Sequence, residues 1–98
     1  MDQIRRLQKW FASQCNEDWE HQHGVRIETL DNPGWWVRID LRNTLLEDSP
    51  FTGVSRGNSE FDASWIDCKV QDEEFRGTGG AENLFELLQI FLDWAEAQ

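Results

Sequence analysis

The chain has 98 residues, 39% of them hydrophobic, and a formal net charge of -10 from 19 acidic and 9 basic side chains. That length predicts one domain over residues 1–98, able to bury roughly two thirds of its unfolded surface without staples. No stretch nears the roughly 20 apolar residues that cross a bilayer, the first six residues lack the apolar run of a secretory signal, and the negative field disfavours nucleic acid and anionic membranes, so the expected location is cytoplasmic.

Ile4, Leu7, Trp10, Phe11 and Cys15 recur at helical spacing with Arg5, Arg6, Gln8 and Lys9 opposite them, and Asp2 is placed to cap. This predicts an amphipathic N-terminal helix of about four turns. A polar bend at Asn16, Glu17 and Asp18 leads into Trp19-Glu20-His21-Gln22-His23-Gly24. Alternation over residues 25–30 and 35–41, around Asp31-Asn32-Pro33-Gly34, then predicts a β-hairpin, because Pro33 pre-sets its backbone angle and Gly34 tolerates a positive one. Residues 42–60 are less regular, with a short strand expected at 51–55. Residues 65–70 alternate again. The acidic turn Asp72-Glu73-Glu74, Phe75 and the run Gly77-Thr78-Gly79-Gly80 follow, the glycines read as a tight turn that lets the next helix dock closely. Leu84, Leu87, Leu88, Phe91, Leu92 and Ala95 form the stripe of a C-terminal helix.

The order predicts an α+β fold: an N-terminal helix, an antiparallel sheet of about four strands, and a C-terminal helix, with the helices on one face of the sheet. Parity places Trp35, Val37, Ile39, Leu41, Ile66, Cys68 and Val70 on the covered face. Trp36, Arg38, Asp40, Trp65, Asp67 and Lys69 then fall on the open face, with Arg26 and Glu28 if the first strand keeps phase. From residue 60 to 98 ten acidic side chains face only Lys69 and Arg76, so the open face is expected to be aromatic and negatively biased. Tryptophan and arginine are enriched among interface anchors. Trp36 and Trp65 are therefore candidate anchors for a partner, with Arg38, Asp40, Asp67, Glu73 and Glu74 as charged contacts. The alternative is that the two tryptophans pair across strands, or lie under residues 42–60, for stability alone.

Motifs for catalysis are weak. Cys15, His21 and His23 do not follow a familiar zinc spacing, and no second cysteine pair supplies further ligands. The glycine run lacks the Lys-Ser/Thr ending of a phosphate loop and is surrounded by Glu73, Glu74, Glu82 and Glu86. No serine sits in a nucleophile frame. Cys15 and Cys68 are expected to be reduced thiols. No catalytic residue, cofactor or metal is expected. The competing readings are a small metal-dependent hydrolase using Glu20, His21 and His23, and an acidic nucleic-acid mimic. Trp19, Glu20 and His21 form a second candidate patch that either binds or braces its loop.

Trp10 with Ser13-Gln14-Cys15, the block Asp18-Trp19-Glu20-His21, Gly24-Val25-Arg26-Ile27, the turn from Thr29 to Trp35, and Gly79-Gly80 with Asn83-Leu84 and Phe91-Leu92-Asp93-Trp94 resemble the immunity protein 53 family of bacterial polymorphic toxin systems. The likeness runs nearly end to end and is weakest over residues 43–64. It implies a cytosolic antidote that binds a cognate toxin, and the chain's acidity fits a basic toxin such as a nuclease. The resemblance itself assigns no interface residues.

Overall fold

The computed structural model describes residues 2–98. In chain order it contains α1 (Gln3–Gln14), a short α2 (Trp19–Gln22), β1 (Val25–Leu30), β2 (Gly34–Asp40), β3 (Val54–Arg56), β4 (Ile66–Gln71), β5 (Glu74–Gly79) and α3 (Leu84–Glu96). The strands form one sheet in the order β1-β2-β5-β4-β3, and every neighbouring pair is antiparallel. The α+β class, the flanking helices and the hairpin agree with the sequence reading. The sheet has five strands where about four were expected.

The additional strand is β5, at the centre of the sheet, and it contains Gly77 and Gly79, two of the three glycines that the sequence reading assigned to a turn. Glycine weakens a strand but permits close approach from the face above it. A Cβ at Gly77 would lie 3.2 Å from the Phe75 ring, and one at Gly79 would lie 3.0 Å from the Trp65 carbonyl and 3.4 Å from Leu87. Close docking of α3 is thus what the glycines permit, from within a strand. Gly34 is also used for proximity: a Cβ there would collide with the Gly79 carbonyl, and Gly57 is the one described glycine with a positive φ.

The tight hairpin is instead β4–β5. Gln71 pairs with Glu74, and Asp72 and Glu73 between them both adopt left-handed backbone angles, with φ of 56° and 60°. That matches the twist-compatible two-residue turn, though carboxylate residues fill positions that Asn-Gly suits better.

The core lies between the sheet and α3. Val37, Ile39, Ile66, Cys68 and Phe75 project from the sheet to meet Leu87, Leu88, Phe91 and Leu92 of α3, while Leu7 of α1, Leu41 and Leu46 close its margins. The α3 stripe is the one the spacing predicts. Asp2 caps α1, its carboxylate accepting from the Arg5 amide at 3.1 Å. Ile4, however, is 54% exposed, because α1 packs on α3 and not squarely on the sheet. Residues 42–53 are held by inward-turned side chains: Leu46 is buried, Phe51 stacks edge-on against Phe75 and Trp94, and Trp94 Nε1 donates to the Pro50 carbonyl at 2.9 Å. The expected strand near residues 51–55 is displaced to Val54–Arg56. No described helix is long and apolar enough to cross a membrane.

Candidate binding face

Residues opposite one another on neighbouring strands share a face, so the register defines the uncovered side in rows. The first row is Asp40, Glu74 and Gln71. The second is Arg26, Arg38, Arg76 and Lys69, one residue each from β1, β2, β5 and β4. The third is Glu28, Trp36, Thr78, Asp67 and Ser55. The phase expected for β1 is therefore correct.

The expected negative bias of this face is not. Four cations lie in register beside four carboxylates, Glu28, Asp40, Asp67 and Glu74. Acidic residues were counted along the chain, but a strand sends alternate side chains to opposite faces, and most of the surplus acids lie on loops and helices.

Ion pairs organise the face. Glu74, with a side chain 15% exposed, accepts from Arg76 Nε at 2.8 Å and Arg38 Nε at 3.3 Å. Asp40 hydrogen-bonds with His23 Nδ1 at 2.7 Å and accepts from the Arg42 amide at 2.9 Å and its Nη1 at 3.4 Å. Arg42 also donates through Nε to Glu73 at 3.1 Å and through Nη2 to the Asp72 carbonyl at 3.2 Å, clamping the left-handed turn to the end of β2. Asp40, Glu73 and Glu74 are thus engaged internally, while Asp67 is exposed and unpaired among the described residues. The His23, Asp40, Arg42 and Glu74 groups, with His21, Arg26 and Arg38, border a polar cleft of about 440 Å³ at the β1–β2 end of the face.

The two candidate tryptophans have separate fates. Trp36 is half-buried on the open face, with the Arg38 guanidinium 4.8 Å from its ring centroid, a cation–π stack. Trp65 immediately precedes β4 and is only 8% exposed, set among Pro33 and residues 59–63. Its amide donates to Asn83 Oδ1 at 3.3 Å and its carbonyl accepts from Gly80 at 3.0 Å. The expectation that both rings stand open therefore fails for Trp65, which is buried beside residues 59–63.

In the second patch, Trp19 is 2% exposed: its Nε1 donates to the Arg42 carbonyl at 2.8 Å and its ring meets Trp10, Phe11 and His23. Glu20 accepts from the Asn16 and Glu17 amides at 2.9 and 2.7 Å. Hydrogen bonds from backbone amides, its own first and then those two, hold its carboxyl below the ordinary value of 4.5 against the opposing effect of burial. His21 is exposed. Trp19 and Glu20 are tied into the α1–β1 connection, and Glu20, His21 and His23 do not converge on a common metal position. Among the described residues no group of three His, Cys, Asp or Glu side chains is placed to hold a metal ion. Cys15 and Cys68 are both free thiols, and burial, followed by the charges of Asp67 and Glu86, pushes Cys68 up to about 12.

The sequence reading missed Arg76 as the bridge between rows and His23 as the partner of Asp40. Arg26, Arg38 and Lys69 were on the right face, but only an assigned β5 aligns them into one row.

Fold and geometry together define a small α+β protein with a helix-covered core and an uncovered sheet face built from ion pairs and one stacked tryptophan. A family model described as immunity protein 53 matches residues 4–96, and the chain belongs to that family. No curated protein and no solved structure matches it.

Proposed function

We propose that this chain is a cytoplasmic antidote that neutralises a cognate polymorphic toxin by binding it, without catalysis, and that the open sheet face makes the contact. Membership of the immunity protein 53 family over residues 4–96 carries this reading. Trp36 is its anchor, since a half-buried ring stacked by arginine offers large apolar area at small cost in conformational freedom. The net charge of -10 favours a basic toxin, such as a nuclease, because the overall field accelerates encounter with positive partners. Asp67, exposed on the same face and unpaired among the described residues, is the outward acid best placed to meet toxin lysine or arginine.

The test is co-expression with the toxin domain encoded by the adjoining reading frame. Growth is restored by the native chain. Trp36→Ala weakens toxin binding by at least about 2 kcal/mol while the protein stays folded. Full protection and unchanged affinity in that variant would remove Trp36 from the interface, and absence of any protection by the native chain would refute the antidote assignment.

A further inference from the structure

The row Arg26, Arg38, Arg76 and Lys69 holds four of the chain's 9 basic residues, aligned across four adjacent strands of a protein whose net charge is -10. Like charges directly opposite one another destabilise a sheet. Folding alone gives no reason for this alignment. Glu74 serves both central arginines and Asp72 lies 3.5 Å from Arg76 Nη2, whereas Arg26 and Lys69, both exposed, have no carboxylate within 4.0 Å among the described residues. The row is therefore under-neutralised, and its ends are directed at solvent.

We propose that this row receives a carboxylate-bearing segment of the toxin, laid across the strands with an apolar side chain against Trp36. The inference rests on the antidote reading and names the chemistry of the toxin surface that reading leaves open. Three strand spacings make the row about 14 Å long, the span of an extended segment of four or five residues whose alternate side chains point the same way. Arginine forks donate to carboxylates in bidentate geometry, which fixes register as well as contributing affinity. Trp36 lies in the next row beside Arg38, so charged and aromatic contacts fall within one footprint.

A protein segment fits better than a nucleic acid. A continuous polyanion crossing this face would also meet Glu28, Asp67, Asp72 and Glu73 at its edges, and the repulsion grows with each phosphate. A segment with one or two carboxylates engages the row at short range, leaving the fringe acids for lysines and arginines around it. A toxin that is basic overall, yet presents carboxylates at its centre, meets both demands.

The experiment measures affinity for the toxin domain encoded by the adjoining reading frame, inactivated in its own catalytic site. The double variant Arg26→Glu with Lys69→Glu is compared with Arg5→Glu with Lys9→Glu on exposed positions of α1, which changes net charge equally. The row variant should bind at least about 30-fold more weakly, the α1 variant within about threefold of native. The row variant should melt no lower than the native protein, because opposite charges replace like ones across the strands. Equal losses in the two variants, or none in either, overturn the proposal while leaving the antidote reading intact. Failure of the native chain to bind the toxin overturns both. Binding of a DNA duplex of about 20 base pairs by the native chain but not by the row variant assigns the row to nucleic acid and overturns it as well.

Discussion

Glu74→Gln preserves side-chain size while removing the one carboxylate among the described residues that contacts both Arg38 and Arg76, and its cost follows from the geometry. The native carboxylate accepts from Arg76 Nε at 2.8 Å and Arg38 Nε at 3.3 Å, with side-chain exposures of 15% for the acid, 30% for Arg76 and 29% for Arg38. A hydrogen bond between charged groups contributes about 1.5–3 kcal/mol, and partial solvation together with one long contact puts this pair near the lower end. The amide oxygen retains one hydrogen bond from an arginine, now to an uncharged acceptor, recovering about 1 kcal/mol. Unmasked repulsion between two guanidinium groups on opposed residues restores roughly the same amount to the loss at an intermediate dielectric. The net destabilisation is about 2 kcal/mol, which for a chain of this length lowers Tm by on the order of 10 °C. Calorimetry at low ionic strength, paired with urea titration, measures it. About 0.5 M NaCl should return part of the loss, since the repulsive share is screened and the missing hydrogen bond is not. A Tm within about 2 °C of native, unchanged by salt, would refute the claim that Glu74 holds the centre of the face together.

Leu88→Ala removes a side chain that is 1% exposed at the α3–sheet contact and should cost about 2–5 kcal/mol through cavity formation, whereas Leu45→Ala, at a side chain 94% exposed, should stay within about 0.5 kcal/mol by the same urea titration. Gly80→Ala should destabilise severely, because its Cβ would collide with the Ala63 carbonyl; the check is loss of a cooperative unfolding transition. Cys68, with its thiol pushed up to about 12 and 1% exposed, should resist iodoacetamide at pH 8 until the chain unfolds, as read by mass spectrometry. Glu20 and Glu86 both have folded values below their ordinary 4.5, the first through backbone amides and the second chiefly through its hydrogen bond from Arg56. Their stabilisation is complete above 4.5 and is lost as pH falls through the lower folded values, so Glu20→Gln should flatten the acid side of the stability profile; an unchanged profile would show that its amide contacts do not favour the charged form.

Legibility in the sequence followed how local each signal was. The stripe from Leu84 to Ala95 and the pair of alternating runs around Asp31-Asn32-Pro33-Gly34 announce α3 and the first hairpin, because periodicity and turn chemistry act within a few residues. β5 was hidden because Gly77 and Gly79 have no side chains to show alternation, and their reason for being glycine is the distant surface of α3. The Asp72-Glu73 turn was equally disguised, since neither residue is the glycine or asparagine that marks left-handed backbone. Losing β5 concealed the centre of the candidate site: without its register, Arg76 has no opposed partner and Glu74 reads as one acid in a run. Trp65 illustrates the complementary limit of parity, which assigns a side but does not foresee how far the side chain is buried there.

The distribution of charge then divides recognition into two ranges. An overall charge of -10 acts beyond about 8–10 Å and depends little on where each carboxylate sits. At contact distance the individual rows dominate, and the open face presents a balanced set of four acids and four bases, with the bases in one line. On the proposed reading, attraction at long range would select among partners by net charge, while docking would test whether the arriving surface carries acids opposite that line. A basic protein lacking such acids would be drawn in and then rejected at the arginines. This is how an acidic antidote would avoid the many other basic proteins of its cell, and it separates this arrangement from a general nucleic-acid mimic, whose acidic surface would hold them all.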